Sequence, residues 1–154
     1  MRFLQLSLFL IALNGCIAAP FEGPGFEDGA VLEGPFLAAI THTRIARGET
    51  SAFSDHLKAI KLQQDSHEGF IGRSLRTRLT SRTRWTLTLW QDEDSMMRFV
   101  TEGAHLEAIA ESATVIDGVR SAIWTIEDDE EFPPSWTDAM DRLEHQSPEV
   151  PWQD

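Results

Sequence analysis

The sequence predicts an α+β domain with the ferredoxin-like order β-α-β-β-α-β, a four-stranded antiparallel sheet with its helices on one face. Three observations predict it. Stretches in which apolar and polar residues alternate, as in a half-buried strand, are separated by stretches of 3.6-residue periodicity. A run of turn residues separates the second and third strand-like stretches by too little chain for a helix, so those two form a hairpin. Once the leader and the segment up to Gly34 are set aside, 120 residues remain, enough for one domain with one core.

Phe36 to Arg44 (FLAAITHTR) is mostly apolar and ends in alternation, which suits a first strand. Gly48 closes it, and Thr50 is placed to cap a helix beginning at Ser51, with Leu57 and Ile60 on its buried stripe. Ser66 to Gly69 breaks that helix. Phe70 to Leu79 alternates as a strand, with Ile71, Leu75 and Leu79 on one face, interrupted by Arg73 and Thr77, and Arg76 and Arg78 on the other. Residues 80–83 (TSRT) make the hairpin turn. The third strand, Trp85 to Trp90, divides into Trp85, Leu87 and Leu89 on one face and Thr86, Thr88 and Trp90 on the other. Asp92 is a good N-cap, and Glu93 and Asp94 complement the dipole of the helix that follows. Met96, Phe99 and Val100 form its buried stripe. Gly103 breaks it, and a second helix carries His105 and turns Leu106, Ile109, Ala110 and Ala113 inward. Gly118 to Ile126 is the fourth strand. Pro133-Pro134 then precedes a short helix with Trp136, Met140 and Leu143 at helical spacing.

The leader gives an address. Phe3 to Leu13 is an apolar run of eleven residues behind Arg2, against about 20 for a membrane-spanning helix, and reads as a signal-peptide core. Leu13-Asn14-Gly15-Cys16 resembles the bacterial lipobox, in which a small residue precedes the cysteine to be lipidated. Cys16 is the only cysteine, so it has no disulfide partner within the chain. The expected organisation is a lipoprotein signal over 1–15, a lipidated Cys16 with a flexible acidic tether over 16–34, a domain over 35–127 and an acidic extension with a short helix over 128–154. Ile17 is not the aspartate that retains such proteins at the inner membrane. The expected location is therefore the cell envelope, lipid-anchored to the outer membrane and facing the periplasm.

Charge is uneven along the chain. The formal net charge is −12, yet residues 35–126 hold eleven acids and eleven Lys or Arg. The excess lies in residues 16–34, with four acids and no base, and in residues 127–154, with ten acids against Arg142. Such runs are ordinarily solvated segments, and a chain this acidic is a poor nucleic-acid binder. The five histidines show no HxH or HxxxH spacing, which offers no metal site, and there is no phosphate-binding or dinucleotide glycine motif and no serine nucleophile elbow.

The stretch Arg84 to Ile109, RWTLTLWQDEDSMMRFVTEGAHLEAI, resembles the antibiotic-biosynthesis-monooxygenase-like (ABM-like) family, over roughly residues 36–126. The resemblance implies a dimeric α+β barrel, in which two sheets close face to face in a homodimer and each protomer keeps a pocket between sheet and helices. The mixed face of Thr86, Thr88, Trp90, Arg76 and Arg78 would suit that interface. It also implies a small oxygenase-type enzyme acting without a cofactor on a hydrophobic or aromatic molecule. In haem-degrading relatives a tryptophan, a histidine and an asparagine do the work. Those positions fall here on Phe99, Ile109 and about Thr41, so haem is disfavoured.

Within this frame His105 is the candidate acid or base, and Arg73, should it face the pocket with Ile71 and Leu75, the candidate stabiliser of a substrate anion. Trp90, Phe99 and Thr41 are the candidate ligand-lining residues, with packing the plain alternative for the two aromatics. No tyrosine is available, which removes one usual participant in this chemistry. A non-catalytic binding protein for a small apolar ligand, or a protein-interaction module, would use the same scaffold.

Overall fold

A computed structural model describes residues 16–79 and 81–147. The signal-peptide expectation for 1–15 lies outside the described residues. The elements are β1 (Cys16–Ala18), a single 3-10 turn (Pro24–Phe26), β2 (Phe36–Ile45), α1 (Thr50–Asp65), β3 (Phe70–Arg78), β4 (Thr83–Trp90), α2 (Glu93–Val100), α3 (Gly103–Val115), β5 (Ile116–Ile126) and α4 (Trp136–Gln146). All strand pairs are antiparallel, in the order β1-β3-β4-β2-β5. From β2 to β5 this is the expected ferredoxin-like arrangement. The fifth strand comes from the segment expected to be a loose tether.

That segment is built into the domain. Cys16, Ile17 and Ala18 pair with Arg78, Thr77 and Arg76, and the Ala19 amide donates to the Leu75 carbonyl. Glu22 and Arg73 exchange two backbone hydrogen bonds, at 2.9 and 2.8 Å. Phe21, Phe26 and Leu32 pack on the core. The Gly- and Pro-rich composition suggested mobility, but an open sheet edge on β3 satisfies this backbone, and three apolar side chains give it something to bury. Gly72 is part of the fit. A Cβ there would come within 2.5 Å of the Phe26 ring.

The sheet has two unlike faces. On one, Phe36, Ala38 and Ile40 of β2, Trp85, Leu87 and Leu89 of β4, and Ala122, Trp124 and Ile126 of β5 form the larger core, sealed by Ala139 and Leu143 of α4. On the other, Leu37, Ala39, Phe70 and Trp90 meet Met96 and Phe99 of α2. Helices therefore lie on both faces, with α1, α2 and α3 on one and α4 on the other. Helix α4 is amphipathic with two side chains fully buried, so the structural domain runs past 127.

This corrects the expected dimer face. The mixed face expected of Thr86, Thr88, Trp90, Arg76 and Arg78 is not one face: Thr88 and Trp90 are buried on the helix side with Thr86 half-buried beside them, whereas Arg76 pairs with Trp85 and lies over the Trp136 ring on the α4 side. The apolar face, which a face-to-face barrel would use, is covered within the chain by α4, the N-terminal segment and Phe132. The alternation along β3 also breaks. A bulge between Phe70 and Gly72 puts Ile71 on the α4 face, while Arg73 pairs with Thr88 and Leu75 with Thr86 on the α1 face. Arg73 and Leu75 thus share a face that Ile71 does not.

Candidate functional site

The helix-side face holds an unbroken row of rings at the end of the sheet where β3 starts and β4 ends. Phe70 meets Trp90 edge-on at 5.1 Å between centroids, Trp90 meets Phe99 at 4.9 Å, and Phe99 meets His105 at 4.9 Å. A second imidazole, His67, stands edge-on to both Trp90 and Phe99, at 5.8 and 5.7 Å. Three of the residues expected at a site are therefore brought together. Trp90 and Phe99 are buried, and His105 is half-buried at the end of the row.

Local chemistry fixes these positions. Asp92 caps α2 as expected, accepting the Ser95 amide at 2.7 Å, and that hydrogen bond holds its carboxyl below the ordinary carboxylate range. The cap sets the phase of α2, so Met96 and Phe99 point at the sheet. At the other end α2 stops and α3 starts again within three residues, at Gly103, whose φ is +55°. Gln63 of α1 reaches into this break. Its Nε2 donates to the carbonyls of Phe99 (3.3 Å) and Glu102 (2.9 Å), and its Oε1 accepts the His105 amide at 3.0 Å. One side chain thus bridges the Phe99 carbonyl near the end of α2 to the Glu102 carbonyl and the His105 amide at the start of α3, an amide that a helix start leaves open.

His105 is oriented by its neighbours. Its Nδ1 lies 3.3 Å from the Val100 carbonyl. A carbonyl can only accept, so Nδ1 carries the proton and Nε2 keeps its lone pair. Burial lowers the pKa of this imidazole below 6.5, with the Val100 hydrogen bond opposing the shift. The neutral form, with a basic Nε2, is the form this environment favours. By the same logic His67 donates from Nε2 to the Ser95 carbonyl at 2.9 Å.

The other expected residues fare differently. Arg73 is on the helix-side face, and its guanidinium carbon lies 5.6 Å from the Phe70 ring centroid. Its charge, however, is engaged by the fold. Nε donates to Glu22 at 3.0 Å, and one terminal nitrogen donates to Asp65 at 2.6 Å and reaches Gln64 at 3.4 Å. Lys61 joins the cluster through Glu22 and, with Arg73, holds that carboxyl below its usual range. A buried cation with two carboxylates already on it is a structural clamp, which removes the reason for giving it a substrate anion. Thr41 pairs with Thr86 and Ser121 on the helix-side face, two residues along the strand from Ala39, or about 7 Å. It is half-buried and beyond the ring row. The indole N–H of Trp90 donates to Thr88 Oγ1 at 3.0 Å, and that hydroxyl passes its own proton to the Ala39 carbonyl. Trp90 therefore offers a ligand its ring and not its donor.

Helix α3 is set differently from the expectation. Leu106 and Ile109 are each 48 % exposed, and Ala104, Ala108, Ser112 and Val115 are its less exposed side. Helix α3 packs chiefly on α1 and adds no buried residue to the helix-side core. Ile109, at the place of the haem-degrading histidine, is thus a surface residue, and Phe99, at the place of the tryptophan, packs on Trp90. Residues at these positions do not fit haem held in that way. Among the described residues no three His, Cys, Asp or Glu side chains converge as a metal site would need. A shallow cavity of about 240 Å³ opens on the α4 side, beside Trp124, Glu130, Asp138 and Arg142, away from the ring row.

His67 and Gln63 are functional-looking residues that the sequence reading did not single out. His67 sits in the turn between α1 and β3, where nothing in the local pattern points it at α2. Gln63 lies on a helix whose periodicity marks only its apolar stripe.

Residues 37–151 match the family described as "Domain of unknown function (DUF3291)", a span that begins in β2 and continues past the end of α4. No curated protein matches the chain. Among solved structures, the protein PA3566 of Pseudomonas aeruginosa is 17 % identical, with a TM-score of 0.55 over 59 % of this chain and 93 % of its own. SnoaB, a cofactor-independent oxygenase from Streptomyces nogalater, is 13 % identical, with a TM-score of 0.54 over 66 % of this chain and 100 % of its own. Rv0793 of Mycobacterium tuberculosis is 12 % identical, with a TM-score of 0.54 over 63 % and 98 %. The likeness is one of fold, and the fold is the ABM-like ferredoxin-type α+β fold.

Proposed function

The chain belongs to the DUF3291 family, and we propose that it is an oxygenase-type protein acting on a hydrophobic or aromatic small molecule held between the sheet and α1–α3. The observation that carries this reading is the placement of His105: a half-buried imidazole with its Nε2 lone pair uncommitted, against Phe99 at the end of a row of aromatic rings. The rings offer an aromatic molecule stacking and edge contacts. The imidazole offers a base poised for a proton on that molecule, since burial keeps it neutral at neutral pH. Proton removal leaves a substrate anion able to react with dissolved oxygen, and SnoaB, which shares the fold, is a cofactor-independent oxygenase. No cofactor enters this reading.

The same proposal places the protein in the cell envelope, anchored through a lipid on Cys16, at the outer membrane and facing the periplasm. Cys16 is exposed at the start of β1, where an acyl group would meet no core residue. A homodimer belongs to the proposal only through a surface other than the α4-covered face. Val119 and Ile123 on edge strand β5, 55 % and 44 % exposed, are apolar residues left for it.

A second reading, a non-catalytic binding protein using the same aromatic row, is favoured by one observation. Arg73 and the Trp90 N–H, the two groups best suited to steady an oxyanion, are both spent within the fold. Native mass spectrometry of the protein from its host would identify a retained molecule, and His105→Ala separates the readings. Lost oxygen consumption with retained binding supports the oxygenase. Unchanged consumption removes His105 from the chemistry, and binding with no consumption by either protein leaves the binding reading.

A further inference from the structure

One end of the sheet is basic where the rest of the molecule is acidic. It is the end where β3 and β4 meet in their hairpin and β2 leads into α1. Arg44, Arg47, Arg78, Arg82 and Arg84 gather there, against Glu49 just before α1 and Asp117 at the start of β5. Asp117 is already engaged by Arg82 at 2.7 Å and Arg44 at 3.7 Å. Arg84 donates to the carbonyls of Ser81 and Thr83, which holds its guanidinium against the hairpin turn. Arg47 and Arg78 are exposed. Two large apolar side chains stand in the open beside them, Leu79 at the hairpin, 64 % exposed, and Ile17 of β1, 57 % exposed. The acidic run Glu127–Glu131 follows the far end of β5, beyond Ile126, which pairs with Phe36. The ten residues of β2 separate the two ends by about 30 Å.

Cys16 opens at the basic end. It pairs with Arg78, so one strand residue, about 3.3 Å of rise, separates its level from that of Leu79. A lipid on a cysteine at the tip of a loose tether would leave the domain free to tumble. A lipid on a residue hydrogen-bonded into the sheet brings one particular end of the domain to the bilayer.

We propose that the hairpin end is a membrane-contact surface for anionic phospholipid, with Arg47, Arg78 and Arg84 meeting headgroup phosphates and Leu79 and Ile17 entering the interface between them. This rests on the lipid-anchor reading above for its orientation. The charge separation gives the partner its sign: an anionic surface attracts this end and repels the Glu127–Glu131 end. Guanidinium groups suit phosphate oxygens, and an exposed leucine flanked by arginines is the composition of an interfacial contact.

The test uses the full chain produced in a bacterial host and reconstituted in vesicles, either of equal phosphatidylglycerol and phosphatidylcholine or of phosphatidylcholine alone. A nitroxide label is placed at Leu79→Cys or, as control, at Asp129→Cys, and its access to a water-soluble nickel quencher is measured. The label at position 79 is expected to be shielded on phosphatidylglycerol vesicles and open on phosphatidylcholine, with position 129 open on both. Each arginine near an anionic surface contributes about fivefold in affinity, so Arg78→Glu with Arg84→Glu should abolish the shielding. Equal access at 79 and 129 on phosphatidylglycerol, or shielding that ignores the two substitutions, overturns the surface. Unchanged thermal unfolding of the labelled and substituted chains excludes misfolding as the cause. The mass of the same preparation reports the lipid on Cys16. Its absence overturns the anchor reading alone. The label experiment on the chain with Cys16→Ser then decides the surface by itself, shielding on phosphatidylglycerol supporting it and open access overturning it.

Discussion

Gln63→Leu tests the positioning of His105. The substitution keeps the volume of the side chain and removes its three hydrogen bonds, to the Phe99 and Glu102 carbonyls and from the His105 amide. Each bond of this kind contributes about 0.5–1.5 kcal/mol net, and the 3.3 Å contact to Phe99 belongs at the low end. The Glu102 carbonyl lies where water can replace the amide, which offsets part of the loss. The expected cost is about 2 kcal/mol, or about 4–8 °C in Tm for a domain of this size. Circular dichroism on heating measures the loss, and urea unfolding gives the free energy independently. An NMR titration of the imidazole adds a readout that general destabilisation would not move: with the α2–α3 break loosened, the His105 pKa should rise back toward 6.5. A variant that melts with the wild type and titrates identically would refute the reasoning and leave the break held by its backbone alone.

Four further outcomes follow from the same contacts. Leu143→Ala, in a side chain with no exposed surface at the centre of the α4 contact, should cost about 3 kcal/mol in urea unfolding, and a cost under about 1 kcal/mol would place α4 outside the core. Ser74→Ala strands the Trp136 indole N–H and takes a donor from the Ala19 carbonyl, so about 2 kcal/mol should be lost, together with hydrogen-exchange protection in β1. Asp65→Asn weakens the clamp on buried Arg73 and should cost about 2 kcal/mol, between exposed and buried pair values because Asp65 is half in water; no change in Tm would show that Glu22 alone suffices. For His105, whose folded pKa is lowered, the fold prefers the neutral imidazole: that contribution is complete above about pH 6.5 and is lost as pH falls through the folded value, so urea unfolding between pH 7.5 and 5 should show a steeper fall for the wild type than for His105→Phe.

The sequence carried the order of elements because that order is written in local signals. The alternation Trp85-Leu87-Leu89, the Asp92 cap and the Gly103 break each act within a few residues, and each is found where its pattern placed it. What the pattern could not carry is the identity of the partner layer. Alternation says that Trp85, Leu87 and Leu89 share a face and is silent on whether α2 or α4 covers it. With one apolar and one mixed face, the pattern points the mixed one to an interface, whereas its Thr88–Trp90 end closes under α2 by satisfying its own polar groups, the Trp90 N–H on Thr88 and the Thr88 hydroxyl on Ala39. The N-terminal segment misled for a related reason. Its glycines and prolines read as mobility, and its order comes from the edge of β3 and the carboxylate of Glu22, both supplied by distant chain. The site shows the same division. Trp90, Phe99 and His105 were legible because strand, helix and break fix their directions, while Gln63 and His67 act across 36 and 28 residues, to Phe99 and Ser95, where no periodicity reaches.

The unequal faces of the sheet also divide its labour. The α4 face is packed with Trp124, Leu87, Leu89 and Leu143, so large side chains there secure the fold and leave little to adjust. The helix-side face has a smaller core, built from β2, β3, β4 and α2, and α3 packs chiefly on α1. Here Leu106 and Ile109 are turned outward, and an intramolecular cover on the opposite face does the stabilising instead. With α4 and the N-terminal segment in that role, the proposed function assigns ligand contact to the opposite layer, which holds the aromatic row and His105.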